Sequence, residues 1–446
     1  MPSPSALLLL AADPALAPDS GGVPIGFRIF LALVALGGLS IAAGSPLGRR
    51  LHRNRAVAAL AAGGWFAVLA GAAIGPAGLD VIDAAIFAEV RPLLVVALGW
   101  VGLIVGLQLR LRVLQAVPKV VWRWVLVDAA VSASIAIALG LAACGWWIEG
   151  FFELAAESPG LVIAIVPAIA ALAASNLGWA PETRSLRIEL SDRTRRIAVL
   201  VSAGAGLASV VAVATLGLTA LPIAETTEAV SFDARLGLVR LGVLAGIAVL
   251  AGTAARFLLG SIERNSPQML VVLLGLVCLV GGIADAAGIP PLLSGLLAGV
   301  VIANLPEGPS RELESVLRRG ETAGAILLYA VAGVLATFEP GWGAVLLALG
   351  LAASRTLLKT AWMSAALRGG GEELPRGTPL RLATVRQAPI AVAIAVSLVL
   401  VEDSQLSRTI LSVVVLTGLL SSLVAPLRSL QRILGERRDE RQGAAA

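Results

Sequence analysis

The chain has 446 residues, of which 58% are hydrophobic, 14% are charged and 48 are glycine; its mean hydropathy is +0.90, and a soluble domain averages about 25% charged residues. This is the composition of a membrane protein. One histidine and two cysteines, Cys144 and Cys278, both inside apolar runs, argue against a zinc or iron–sulfur centre and a disulfide framework. The absence of alternating segments of roughly ten residues argues against an outer-membrane barrel.

A bilayer-spanning helix takes about 20 apolar residues, and the sequence divides into thirteen such runs, each bounded by charge, proline or glycine. In chain order they cover 24–43, 56–75, 91–107, 120–145, 159–178, 195–221, 236–260, 268–286, 289–304, 320–338, 341–365, 379–401 and 407–427. The third and ninth are short, the length expected of a broken or re-entrant helix.

The connectors alternate in charge, and basic ones belong in the cytoplasm. Those after odd-numbered spans are basic: RRLHRNR, LRLRVLQAVPK, PETRSLRIELSDRTRR, RFLLGSIER, the segment reaching Arg318 and Arg319, and Arg368 to Arg381. The others carry acids: Asp80, Asp83 and Glu89; Glu149, Glu153 and Glu157; Glu225, Glu228 and Asp233; Glu339; Glu402 and Asp403. The expected topology is an all-α polytopic protein of a bacterial inner membrane, with its N-terminus outside and its C-terminus in the cytoplasm.

Residues 1–23 form a periplasmic tail with no basic stretch ahead of its apolar segment, which argues against a cleaved secretory signal. Residues 24–427 are the transmembrane domain, and 428–446 a basic cytoplasmic tail. No connector is long enough for a second domain. The pI near 10.1 reflects basic loops facing anionic lipid; nucleic acid would need a folded basic module. Several tryptophans at span ends, Trp122, Trp146, Trp147 and Trp342, read as interfacial anchors. Glycine-rich runs such as GVLAGIAVLAG read as helix-packing surfaces.

Thirteen spans allow two five-helix units of opposite orientation, approximately 56–221 and 289–427, related by an offset of seven spans. The offset pairs span 5 with span 12, and both carry a proline near mid-run, Pro167 and Pro389. A proline there removes an intrahelical hydrogen bond. Interrupted helices at matching positions of two halves point to a binding site near the bilayer midplane.

Two stretches carry a family resemblance. Ile74 to Leu114, IGPAGLDVIDAAIFAEVRPLLVVALGWVGLIVGLQLRLRVL, and residues 288–304, GIPPLLSGLLAGVVIAN, resemble signature segments of the monovalent cation:proton antiporters, especially their Kef-like and NapA-like branch. The resemblance implies the sodium/proton antiporter fold with thirteen helices, inverted repeats and two crossing broken helices. It further implies a homodimer that exchanges a monovalent cation for protons by alternating access, with no cofactor and no enzymatic activity.

The chain departs from that family where the ion binds. In span 5 the motif positions read Ser175 and Asn176; in span 6 Gly206 stands where the family has aspartate, and no Asp or Glu occurs from Arg195 to Leu221. Span 12 keeps Arg386 and Gln387 of the family's stretch and lacks its glutamate.

The remaining ionisable groups within the spans are Arg355 and Lys359 in span 11, Asp128 in span 4 and Arg386 in span 12; such groups are costly and mark functional sites by default. Arg355 and Lys359 are four residues apart and share a helix face. Lysine occurs twice in the chain, at Lys119 and Lys359, among 34 basic residues. A lysine kept inside a span of so arginine-biased a protein points to what arginine cannot do, giving up a proton in a dry site. The resemblance likewise places a lysine in this helix. Asp128 is the matching acid under the repeat, at a similar depth of roughly 12–14 Å from the cytoplasmic end, with Arg123 and Trp124 as competing interfacial partners. Arg28 and Arg240 are close enough to helix ends to snorkel.

Three functions fit these residues. The first is a secondary antiporter of cations and protons. The second is an anion or organic-anion transporter, since a site stripped of acids and facing Arg355 and Lys359 suits an anion. The third is a non-transporting scaffold or sensor with a decayed ion site.

Overall fold

The computed structural model describes residues 64–76, 78, 84–107 and 109–111, isolated positions from 115 to 142, most of 210–225, and residues 230–261, 268–305, 324–336, 342–368, 389–401 and 407–420. The helices described are α1 (Trp65–Ile74), α2 (Ala84–Leu107), α3 (Ala234–Ser261), α4 (Gln268–Ala286), α5 (Pro291–Ala303), α6 (Gly324–Leu335), α7 (Trp342–Arg368), α8 (Pro389–Val401) and α9 (Ser407–Leu420). They fall within or beside spans 2, 3 and 7 to 13 of the sequence reading. Within them Glu89–Leu107 and Ala234–Leu258 are each long and apolar enough to cross a membrane alone. Trp342, the first residue of α7, is exposed, as an interfacial anchor should be.

Several elements differ from the expected spans, and α1 begins only at Trp65, after Gly64 with φ of +75°. α2 begins seven residues before the predicted Arg91 and runs through Pro92; the missing N–H of that proline frees one carbonyl, which bends a helix without ending it. The acidic connector before α3 holds a small hairpin: β1 (Ile223–Glu225) pairs antiparallel with β2 (Val230–Phe232), Ile223 opposite Phe232 and Glu225 opposite Val230. Strands of three residues are too short to show a period in sequence. Asp233 then starts α3, its Oδ1 accepting the backbone N–H groups of Arg235 at 2.8 Å and Leu236 at 3.4 Å, the N-cap arrangement.

The turn from α4 to α5 follows directly from its sequence AAGIPP. Ile289 N–H donates to the Ala284 carbonyl at 2.8 Å and Gly288 N–H to that of Asp285 at 3.0 Å, the paired bonds of a Schellman end. That end needs a left-handed residue, and Gly288 has φ of +65°. Pro291 opens α5 at a position where no N–H is needed. Arg240, read as snorkelling, is instead a tie: its Nε donates to the Ala287 carbonyl at 3.2 Å and its Nη1 to that of Leu221 at 3.1 Å. Arg91, two turns into α2, meets Asp285 at the end of α4 at 3.1 Å, an exposed pair worth about 0–1 kcal/mol.

Glycines let four helices meet backbone to backbone in two pairs. Between α2 and α5, a Cβ on Gly102 would strike the Leu292 carbonyl oxygen and lie 2.8 Å from Leu296 N; one on Gly295 would strike the Gly99 carbonyl oxygen, and one on Gly299 that of Leu103. Between α1 and α6, Gly71 faces the Ala330 carbonyl and Gly333 that of Val68. The seven-span offset exchanges these pairs: spans 3 and 9 become spans 10 and 2. An inverted repeat predicts this correspondence. By contrast Gly242 and Gly246, in the GVLAGIAVLAG run read as a packing surface, have nothing within 4 Å. They lie on the outer side of α3, and of the three glycines in that run only Gly252 meets a neighbouring helix, at Val301.

At the other end of the α2–α5 pair Asn304 uses its whole amide. Nδ2 donates to the carbonyls of Leu109 and Val300 at 2.9 and 2.8 Å, and Oδ1 accepts Leu111 N–H at 2.9 Å. Asn304→Ala leaves these backbone groups without their partner and is expected to lower stability by about 1–3 kcal/mol. Thermal unfolding in detergent measures the loss, and Asn304→Asp, which keeps only the acceptor, should fall between.

Candidate functional site

α7 carries the two cationic positions of the sequence reading. Its buried residues are Ala344, Ala348, Leu351 and Ala352, while Leu346, Leu349 and Leu357 are exposed on the other side. At about 100° per residue, positions 355 and 359 fall within the arc of the helix spanned by the buried set, one turn apart. Leu357 between them is 70% exposed. The helix is continuous through both positions, so by helical register they line up with Ala344, Ala348 and Leu351, which join the central apolar cluster.

That cluster is built around α8. Every residue from Ala391 to Val399 is at most 5% exposed, and the cluster surrounds this helix with residues of α1, α2, α5, α6, α7 and α9. A helix that is apolar all round is a core helix. Pro389 is its first residue, ten residues after the predicted start of span 12, and a proline is tolerated at the first helical position because no N–H is needed there. α8 packs against α2 and α5, the glycine-paired helices.

The other predicted site residues, Asp128, Ser175, Asn176, Gly206, Arg386, Gln387 and Pro167, lie outside the described residues. Among the described residues no group of three His, Cys, Asp or Glu could hold a metal ion, and Cys278 is a free thiol on the exposed side of α4. Among the buried hydroxyls that were not singled out from sequence, Ser397 lies in the central helix itself and is 1% exposed. Its signal was present: it is the only polar side chain in PIAVAIAVSLVLV.

Mostly apolar helices around a buried central one, with glycine-paired helices, describe a polytopic membrane protein of all-α architecture. The transmembrane sodium/hydrogen exchanger family matches residues 62–434. The chain belongs to that family, whose members are antiporters rather than enzymes. Among solved structures it is similar to the sodium proton antiporter MjNhaP1 from Methanocaldococcus jannaschii at pH 8, at 14% identity and a TM-score of 0.53, over 90% of this chain and 98% of that one. No curated protein matches.

Proposed function

We propose that the chain is a secondary active transporter that exchanges a monovalent cation for protons by alternating access, with Lys359 as the proton carrier and Arg355 beside it setting the charge of the site. The observation that carries this reading is the register of positions 355 and 359 within the buried arc of α7. A lysine there only to snorkel would be as well placed on the lipid side. The span that bears the family's aspartate has no carboxylate in this chain, so the group that changes charge must sit elsewhere. Asp128, Ser175, Asn176, Gln387 and the backbone around Gly206 would then supply oxygen ligands to the cation, which hard monovalent ions accept. Pro167 and Pro389 would interrupt the crossing helices of spans 5 and 12. Thirteen spans, a homodimer and the stated orientation in the inner membrane complete the proposal.

The same two cationic positions favour a second reading, an anion or organic-anion transporter. Purified protein in liposomes, with a pH dye and gradients of Na⁺, K⁺, Li⁺ and organic anions, separates the two. Proton movement driven by at least one cation supports the first, and movement driven only by anions supports the second. No flux with any ion would leave the scaffold reading.

The orientation has its own test. Cysteines introduced singly at Ser191 and Thr227 are expected to label from opposite sides, Thr227 from the periplasm. Labelling of both from one side would remove the thirteen-span topology.

A further inference from the structure

The central helix has one polar side chain, and that group has no partner. Ser397 is 1% exposed, and its Oγ makes no hydrogen bond. Helical hydroxyls commonly satisfy themselves by donating to a carbonyl three or four residues back. Elsewhere in this protein they do so: Thr253 to Val249, Ser294 to Pro291, Ser354 to Leu351, Thr356 to Ala352, Ser412 to Arg408 and Thr417 to Val413. Ser397 does not take the Ala393 carbonyl open to it. A hydroxyl without a partner in a dry interior is unfavourable. Such a group in a native protein is accounted for by water, an ion or a ligand. Packing does not call for it, since alanine or valine would suit a helix that is otherwise apolar on every side.

Its depth is informative. Ser397 is eight residues beyond Pro389, roughly 12 Å along the helix, and five before Glu402, roughly 7–8 Å from the acidic connector assigned to the outside. It lies between the interruption of span 12 and the periplasmic surface.

We propose that Ser397 is a binding group on the outward half of the transport path, its hydroxyl oxygen bonding a monovalent cation that still carries part of its hydration shell. This rests on the transporter reading and adds to it a residue in a helix that carries no charge between Pro389 and Val401. A neutral oxygen suits that place: it replaces a water of hydration and releases the ion without titrating. The ligand is then available in both protonation states of the carrier.

The test uses the full chain with Cys144 and Cys278 replaced by alanine. The Ser397→Cys protein in liposomes is expected to react with a charged, water-soluble thiosulfonate reagent despite its burial. NaCl, KCl or LiCl, compared with choline chloride, should slow that reaction about fivefold or more for at least one of the three ions. In the same vesicles Ser397→Ala should raise the apparent KM for that cation about fivefold, as expected for the loss of one neutral oxygen ligand, with little change in maximal rate. A cysteine that stays unreactive while the parent protein transports overturns the proposal and leaves the transporter reading standing. Reaction indifferent to all three cations, or protected only by organic anions, also overturns it. A parent protein that moves no cation defeats both.

Discussion

Lys359→Gln is expected to give a protein that folds, inserts and no longer couples cation movement to protons. Exchange driven by a pH gradient should fall to the level of empty liposomes, and any remaining cation flux should be independent of pH. Spans 5, 6, 11 and 12 offer no ready alternative as carrier. A serine hydroxyl does not ionise in the physiological range, so Ser202 and Ser209 in span 6 cannot replace a titrating group, and that span has no carboxylate from Arg195 to Leu221. Arginine does not give up its proton, which removes Arg355 and Arg386. Glutamine keeps much of the length of lysine and none of its charge, so Arg355 one turn away is left as the sole cation on that face. Thermal unfolding should change by about 1 kcal/mol or less, as for a substitution that opens no cavity. A large loss of stability would instead assign Lys359 a structural role.

Gly102→Leu is expected to abolish the folded protein, and Gly242→Ala to leave it unharmed. At Gly102 the added carbon would meet main-chain atoms of α5, the Leu292 carbonyl oxygen and Leu296 N, and a backbone cannot rotate aside as a side chain can. Overpacking against movable neighbours already costs about 1–3 kcal/mol, and total stability is only about 5–15 kcal/mol. The α2–α5 pair would have to part along its length, since Gly295 and Gly299 meet the same partner. At Gly242 nothing lies within 4 Å, so alanine adds only its better helix propensity, about 0.5–1 kcal/mol. Yield of monodisperse protein in detergent and its unfolding temperature measure both. Equal effects at the two sites would show that α2 and α5 do not cross as described.

The spans were legible where a run of apolar residues ends in charge or a turn motif. α4 coincides with the predicted 268–286, and α3 extends the predicted 236–260 by two residues at one end and one at the other. They were less legible where the punctuation was ambiguous. The predicted start at Arg91 lies seven residues inside α2, which runs from Ala84 through Arg91 and Pro92. Which glycines pack could not be read from their spacing: the run beginning at Gly242 and the one ending at Gly299 are alike in sequence, and only the neighbouring helix separates them. Arg240 was legible as a charge near a helix end, whereas its partners, the carbonyls of Leu221 and Ala287, come from distant segments. Arg355 and Lys359 were legible because a four-residue spacing fixes a shared face in any helix. The face itself required the burial pattern of α7. Ser397 was visible as a letter, yet its missing hydrogen bond is a property of the folded core.

The most direct measurement is the pH profile of cation flux in the Lys359→Arg protein, reconstituted beside the parent. Arginine keeps the positive charge and much of the length of lysine and loses only the ability to release the proton. If Lys359 carries the proton, the site is locked charged, and cation-driven proton movement should vanish at every pH while the protein stays folded. A Lys359→Arg protein with the parent's pH-dependent flux would show that this lysine is not the carrier.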